Sequence, residues 1–235
     1  MIPGYGLKEF AELDSTNQEA RRMAMAGENG PLWITASRQS AGRGRRGREW
    51  KSEEGNLFAT LLIRPSRPKP EWAQLSFVAA IATADMAAHY SPGIAVKWPN
   101  DVLLEGRKLA GILLETMGEA LVIGIGVNLK SHPPDTEFPA ISLATAIPTP
   151  PSPQQALGLL APGFAEWYDS WEKSGFGPIR NAWLARAAGL GSRIRARLPG
   201  AEHVGVFEGI DEQGALLLKE NTQTRILAAG EVFFG

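Results

Sequence analysis

A run of alternating glycine and arginine interrupts the chain between two apolar segments. Residues 38–50 read RQSAGRGRRGREW. Residues 32–37, just before it, are β-branched and aromatic, and residues 56–63, beyond it, are almost wholly apolar. Both flanks have strand composition, and the second is apolar enough to be buried on both faces. The run between them suits neither a helix nor a ladder, because glycine weakens both. The chain must therefore fold so that two strands flank a glycine-arginine loop. Glycine lets backbone N–H groups approach a ligand closely. Arginine supplies forked donors that match phosphate and carboxylate oxygens. Arg43, Arg45, Arg46, Arg48 and Lys51 outweigh the one acid among them, Glu49. Like charges held close repel, so the empty loop is expected to be mobile and to close over an anion such as a phosphate.

The spacing also spells G-x-G-x-x-G, the dinucleotide fingerprint. That motif needs a helix opening at the third glycine, and residues 48–55 have no helical apolar period. A nucleic-acid patch is the other alternative. The 24 basic and 25 acidic residues give a net charge of −1, so no broad cationic surface exists to hold a long polyanion. A small phosphate ligand fits better than DNA.

The length, 235 residues, fits one large domain or one with a small appendage. Cysteine is absent, which excludes disulfides, thiolate nucleophiles and cysteine-based zinc sites and fits a reducing cytoplasm. The chain opens without a signal-peptide pattern, and it has no apolar run of bilayer length.

Residues 7–13 read as a first strand. A helix is expected from Ser15 or Thr16, with capping boxes Thr16–Glu19 and Ser15–Gln18 as two registers and Gly27 as the stop. Those hydroxyls can cap the helix or face a ligand at its N-terminus; both readings stand. Trp72, Leu75, Ala79, Ala82 and Met86 predict an amphipathic helix. Residues 96–111 read VKWPNDVLLEGRKLAG. Pro99 ends a strand at Lys97-Trp98, Asn100-Asp101 turns the chain, and a hairpin follows about Glu105-Gly106-Arg107. Lys108 sits beside that turn, either as a solvated edge charge or with Lys97 and Asp101 as part of a site. In residues 120–129, Gly124, Gly126 and Asn128 share one strand face, which suits a pocket floor or close packing on a helix. Residues 131–153 read as a long connection. Helices are expected around residues 157–171, kinked or restarted at Pro162-Gly163, and over residues 177–188. From about Gly191 the texture changes to short strands with tight turns, predicting a small β appendage. The expected division is 1–190 and 191–235.

Taken together, Ser15-Thr16-Asn17, Gln39, Gly42 to Arg48 with Trp50, KWPND, RKLAG and Gly124 to Asn128 resemble the biotin protein ligases in order and spacing. The resemblance covers most of residues 7–129, and the β appendage is similar to that family's C-terminal domain. It implies an α+β fold: a mixed sheet flanked by helices, of the class II synthetase-like biotin–lipoate ligase type, with a small SH3-like β-barrel behind it. It implies that biotin and ATP, with Mg²⁺, give biotinyl-5′-AMP, and that biotin then passes to a lysine of a biotin carboxyl carrier protein. Ser15, Thr16, Asn17 and Gln39 are implied to line the ureido end. Arg43, Gly44 and Arg45 would cover the biotinyl-phosphate, with Gly111 also against biotin. Lys108 would bridge the biotin carboxylate and the α-phosphate and, with Arg45, carry catalysis. Arg48, Trp50 and Asn128 are implied to hold the nucleotide, with Trp50 stacked on adenine. Asp101 would orient or deprotonate the acceptor lysine. No protein metal ligand is expected. Many relatives carry an N-terminal DNA-binding domain; here the motifs start near Asp14, so a monofunctional cytoplasmic ligase without DNA or membrane partners is expected, as monomer or homodimer. The alternatives are a lipoate or octanoyl ligase of the same fold and a non-catalytic biotin- or nucleotide-binding module.

Overall fold

Strand β1 (Gly6–Leu13) leads through helix α1 (Thr16–Met25) into β2 (Leu32–Gln39), which pairs parallel to it. This architecture comes from a computed structural model that describes residues 3–234. The glycine-arginine loop follows, holding a short 3-10 turn at Arg45–Gly47. Next comes β3 (Leu57–Ile63), which is buried at every residue, as its apolar composition requires. A 3-10 turn (Lys69–Gln74) runs into α2 (Leu75–Ala88). Then come β4 (Ile94–Lys97), β5 (Asp101–Leu104), β6 (Arg107–Met117) and β7 (Ala120–Val127). These strands form a seven-stranded mixed sheet in the order β1-β2-β3-β7-β6-β5-β4. Positive φ at Glu105 and Gly106 closes the expected β5–β6 hairpin.

The alternating side chains of β3 divide the core. Leu57, Ala59, Leu61 and Ile63 pack with α2 and with α4 (Pro153–Ser174). On the opposite face Leu62 joins Ala20 of α1, Leu32 and Ile34. Two helix expectations need correction. Helix α2 is not amphipathic: Val78, Ala80, Ile81, Thr83 and Ala84 are buried along with the expected stripe. It lies between the sheet, α4 and α5 (Phe176–Leu184), and its many alanines permit that close fit. Helix α4 runs through Pro162 unbroken. It opens on a capping box between Ser152 and Gln155, with Pro153 in the first turn. Burial of Leu160, Ala161 and Phe164 offsets the hydrogen bond that Pro162 cannot donate. A four-residue helix α3 (Leu143–Ala146) interrupts the long connection before α4.

The second sheet is antiparallel throughout. Its strands are β8 (Arg193–Leu198), β9 (Ala201–Ile210), β10 (Leu216–Glu220), β11 (Gln223–Leu227) and β12 (Glu231–Phe234), in the order β11-β10-β9-β8-β12. The short strands and tight turns expected beyond Gly191 are present. Its apolar face shares the core of the first sheet through Trp183 of α5. That ring lies edge-on to Phe77 at 5.4 Å and to Phe207 of β9 at 6.4 Å. Trp98 Nε1 donates to the Gly214 carbonyl at 3.0 Å across the same junction.

Because one core spans both sheets, unfolding should be a single transition. Trp183→Ala should cost about 3–5 kcal/mol and keep that transition single. Urea titration followed by circular dichroism and tryptophan fluorescence checks this. Two separated transitions in the unmodified protein would contradict it.

Candidate active site

A cavity of about 390 Å³ opens where the C-terminal end of β2, the N-terminus of α1, the β5–β6 hairpin and β12 converge. Ser15, Thr16, Asn17, Gln39, Arg43, Gly44, Arg45, Arg48, Trp50, Asp101, Lys108, Gly111 and Asn128 all line it. The bare face of β7 is its floor. A methyl group at Gly124 would come within 2.2 Å of Asn17 Oδ1, and one at Gly126 within 2.6 Å of the Trp50 indole. Gly111 of β6 likewise lies under Trp50. Side chains from α1 and from the loop therefore occupy the space that these glycines leave.

At the polar end the local capping signals are overridden. Ser15 is the N-cap of α1, but its hydroxyl makes no capping bond. Gln39, reaching across from β2, accepts the Thr16 N–H at 2.8 Å and the Thr16 hydroxyl at 3.1 Å. Glu19 pairs instead with Arg22. The Gln39 amide donates to Ser52 Oγ at 2.8 Å, and Ser52 donates to the Trp50 carbonyl at 2.9 Å. One glutamine thus fastens the helix start to the base of the arginine loop. Gly42 has no alternative there, since a methyl group would meet Ser52 Oγ and the Trp50 carbonyl at 2.5 Å.

At the charged end Asp101 stands between two lysines. Lys108 Nζ lies 2.6 Å from its Oδ1, and Lys97 Nζ lies 3.3 Å from its Oδ2. A β-bulge aims Lys108. Val102 pairs with Ala110 but Leu103 pairs with Lys108, so Leu109 is the extra residue. Without it, Lys108 and Gly111 would point to opposite faces. Burial pushes the Asp101 carboxyl up, but Lys108 and Lys97 outweigh it and hold the group below the usual carboxylate range. Burial pulls the Lys97 ammonium down against the pull of Asp101. Lys97 also lies 3.5 Å from the Phe138 ring centroid.

The arginine loop is closed on itself and on the second sheet. Gly44 N–H donates to the Arg48 carbonyl at 2.7 Å, and Trp50 N–H to the Gly42 carbonyl at 2.9 Å. Arg46 takes φ +58 inside the turn. Arg45 donates to Asn100 Oδ1 at 3.1 Å, and Asn100 is held by the Ile112 carbonyl at 2.6 Å. Arg48 pairs with Glu231 of β12, and Arg46 lies 3.8 Å from the same carboxylate. The repulsion expected to leave the loop mobile is thus met by an internal anion. Asn128 donates to the carbonyls of Ile141 and Lys108 at 3.1 and 3.4 Å, which turns its Oδ1 away from them. Trp50 Nε1 is buried over Gly126 without a hydrogen-bond partner.

Sequence reading missed several participants. Glu231, Phe138 and Phe233 line the cavity from residues distant in the chain, and no local spacing signals them. Thr60 sits behind the polar end in a strand that reads as almost wholly apolar. Its hydroxyl lies 2.8 Å from that of Thr16 and 2.7 Å from Asn17 Oδ1.

The Lys97–Asp101–Lys108 triad carries a pH prediction. A depressed carboxyl contributes stability that is present above its unfolded pKa of about 3.9 and is lost as pH falls through its folded value. Asp101→Asn should therefore melt below the unmodified protein by an amount equivalent to about 3–5 kcal/mol at neutral pH. That gap should persist to about pH 4 and close only below it. Melting curves between pH 3 and 8 check this, and a gap closing between pH 7 and 5 would contradict it.

Residues 9–130 match the biotin/lipoate A/B protein ligase family, and residues 189–235 match the biotin protein ligase C terminal domain. The chain is 48% identical to the biotin–[acetyl-CoA-carboxylase] ligase of Paracoccus denitrificans, over 96% of this chain and 99% of that one. It is 33% identical to the bifunctional ligase/repressor BirA of Bacillus subtilis, over 95% of this chain and 72% of that one. Its fold is similar to the biotin protein ligase of Aquifex aeolicus solved with biotin and ATP, with TM-score 0.86, 24% identity and 97% of each chain covered. Two matched regions and a near full-length relative, on a cavity that gathers every anticipated site residue, place this chain in the biotin protein ligase family.

Proposed function

We propose that this chain is an ATP-dependent biotin protein ligase that acts on the biotin carboxyl carrier protein of a carboxylase. The observation that carries this is one cavity with a neutral polar dead end at one side and Arg45, Lys97 and Lys108 at the other. Biotin has that polarity: a ureido group at one end and a carboxylate at the other.

In the first step a biotin carboxylate oxygen attacks the α-phosphorus of ATP, the bond to the β-phosphate oxygen breaks, and pyrophosphate leaves. Two anions meet, so fixed cations must be in place before they do. Lys108 is held on a strand by Asp101 and lies beside the floor, which suits it to bridge carboxylate and α-phosphate. Arg43 and Arg45 cover the same region, and Arg48 exchanges its Glu231 partner for a nucleotide phosphate. Trp50 and Asn128 hold the base, Trp50 with the face of its indole and Asn128 with its Oδ1. The cationic wall fits a nucleotide, and the Mg²⁺ that accompanies ATP would supply further neutralisation of its phosphates. The closed loop shields the mixed anhydride from water.

In the second step a neutral lysine amine attacks the acyl carbon, the bond from that carbon to the AMP phosphate oxygen breaks, AMP leaves, and the amine proton passes to solvent as the amide forms. A carboxylate held below its ordinary range is a poor proton acceptor. We therefore assign Asp101 to orienting Lys108 and the incoming lysine. We assign catalysis to residues 1–190 and a supporting role to residues 191–235, which supply Glu231. The near-neutral chain offers no field for a DNA duplex. Among the described residues no helix is long and apolar enough to cross a membrane, and we place the enzyme in the cytoplasm with its carrier.

Mixing the protein with biotin, MgATP and an unmodified carrier domain should add one biotinyl group to one carrier lysine, read by mass spectrometry. Lys108→Ala should slow adenylate formation by at least about 100-fold. A folded Lys108→Ala protein that adenylates at near the unmodified rate would remove Lys108 from the chemistry.

A further inference from the structure

Asn17, at the ureido end, has its amide oriented from behind the cavity. Its Nδ2 donates to Glu115 Oε2 at 2.8 Å and lies 3.5 Å from the Leu113 carbonyl. Glu115 is paired in turn with Arg21, with Nη1 3.1 Å from Oε1. Neither Glu115 nor Arg21 lines the cavity. An ionised carboxylate only accepts, so it admits one orientation of the amide, with nitrogen toward Glu115. The amide oxygen must then face the floor. There Oδ1 lies over Gly124 and receives the Thr60 hydroxyl at 2.7 Å.

We propose that Glu115, backed by Arg21, is a positioning residue that fixes the substrate selectivity of this site by holding Asn17 as a hydrogen-bond acceptor. The assignment rests on the ligase reading above. A carbonyl oxygen has two lone pairs, and Thr60 uses one. The other is offered to the cavity and asks for an N–H donor. The ureido group of biotin carries two such donors. The apolar tails of lipoate and octanoate carry none, and would leave Oδ1 desolvated and half satisfied. A site built to hydrogen-bond a substrate group rejects analogues that lack it far better than an apolar pocket can. Were the amide free to turn, it would present N–H instead and lose that discrimination.

A pair of substitutions tests the polarity rather than the mere presence of the network. Asn17→Asp sets two carboxylates against each other where one N–H···O bond now stands. It should raise the biotin KM for adenylation by on the order of 100-fold. Adding Glu115→Gln restores a donor behind the carboxylate of residue 17, so an acceptor again faces the floor. The double variant should recover at least about tenfold of that KM. Adenylation is read by biotin-dependent pyrophosphate release, with melting temperature recorded for each protein. A double variant no better in KM than Asn17→Asp alone overturns the proposal, and so does one that regains melting temperature without regaining KM. If Asn17→Asp fails to fold, Glu115→Ala replaces it. It should raise the biotin KM by at least about tenfold while narrowing the preference for biotin over octanoate, and an unchanged preference overturns the proposal. Unmodified enzyme that releases no pyrophosphate with biotin would instead sink the ligase reading itself.

Discussion

A single buried carboxylate ties the reactive end of this protein together. Asp101 on β5 meets Lys97 from β4 and Lys108 from β6, so one anion spans three neighbouring strands. Removing it would leave two ammonium groups facing each other in a low-dielectric site. The pair energies in such surroundings exceed those of any surface ion pair, and so do the desolvation costs. The β5–β6 ladder carries a bulge at Leu109 beside this carboxylate. The bulge gives up ladder regularity and places Lys108 on the cavity face, where Asp101 can hold it.

The rest of the site is arranged around that fixed charge by elements that each serve two purposes. Gln39 satisfies the start of α1 and fastens the arginine loop through Ser52. Glu231 belongs to the second sheet but neutralises Arg48 of the first unit's loop, and it also holds Arg197 at 3.1 Å. The second sheet is thus part of the cavity wall as well as a neighbour packed on Trp183. In the proposed reading a nucleotide phosphate competes with Glu231 for Arg48, which would couple nucleotide binding to the contact between the two sheets.

Much of this was legible in the chain, and the failures have physical causes. The strands of both sheets follow from apolar composition, alternation and turn chemistry, and the glycines at 124 and 126 identify a bare strand face before any partner is known. The two readings of Ser15 and Thr16 could not be separated locally, because a capping box and a ligand-facing helix start look alike; only Gln39, on another strand, takes the place of the caps. The α2 stripe was correct but incomplete, since burial by α4 and α5 on its outer side leaves no periodic signature in its own sequence. Pro162 was given too much weight, because packing of Leu160 and Phe164 is invisible to local propensity. The bulge that aims Lys108 is a property of a strand pair, and Glu231, Thr60 and Glu115 reach the site through tertiary contacts alone.

The central claim is that this cavity joins a biotin carboxylate to the α-phosphate of ATP. Exchange of labelled pyrophosphate into ATP tests it most directly, because it reports reversible adenylation without any acceptor protein. Label should enter ATP when biotin is present and stay out with lipoate or octanoate. Folded protein that exchanges with neither biotin nor the other acids would contradict the account, and exchange with lipoate or octanoate in place of biotin would contradict the reading of its polar end.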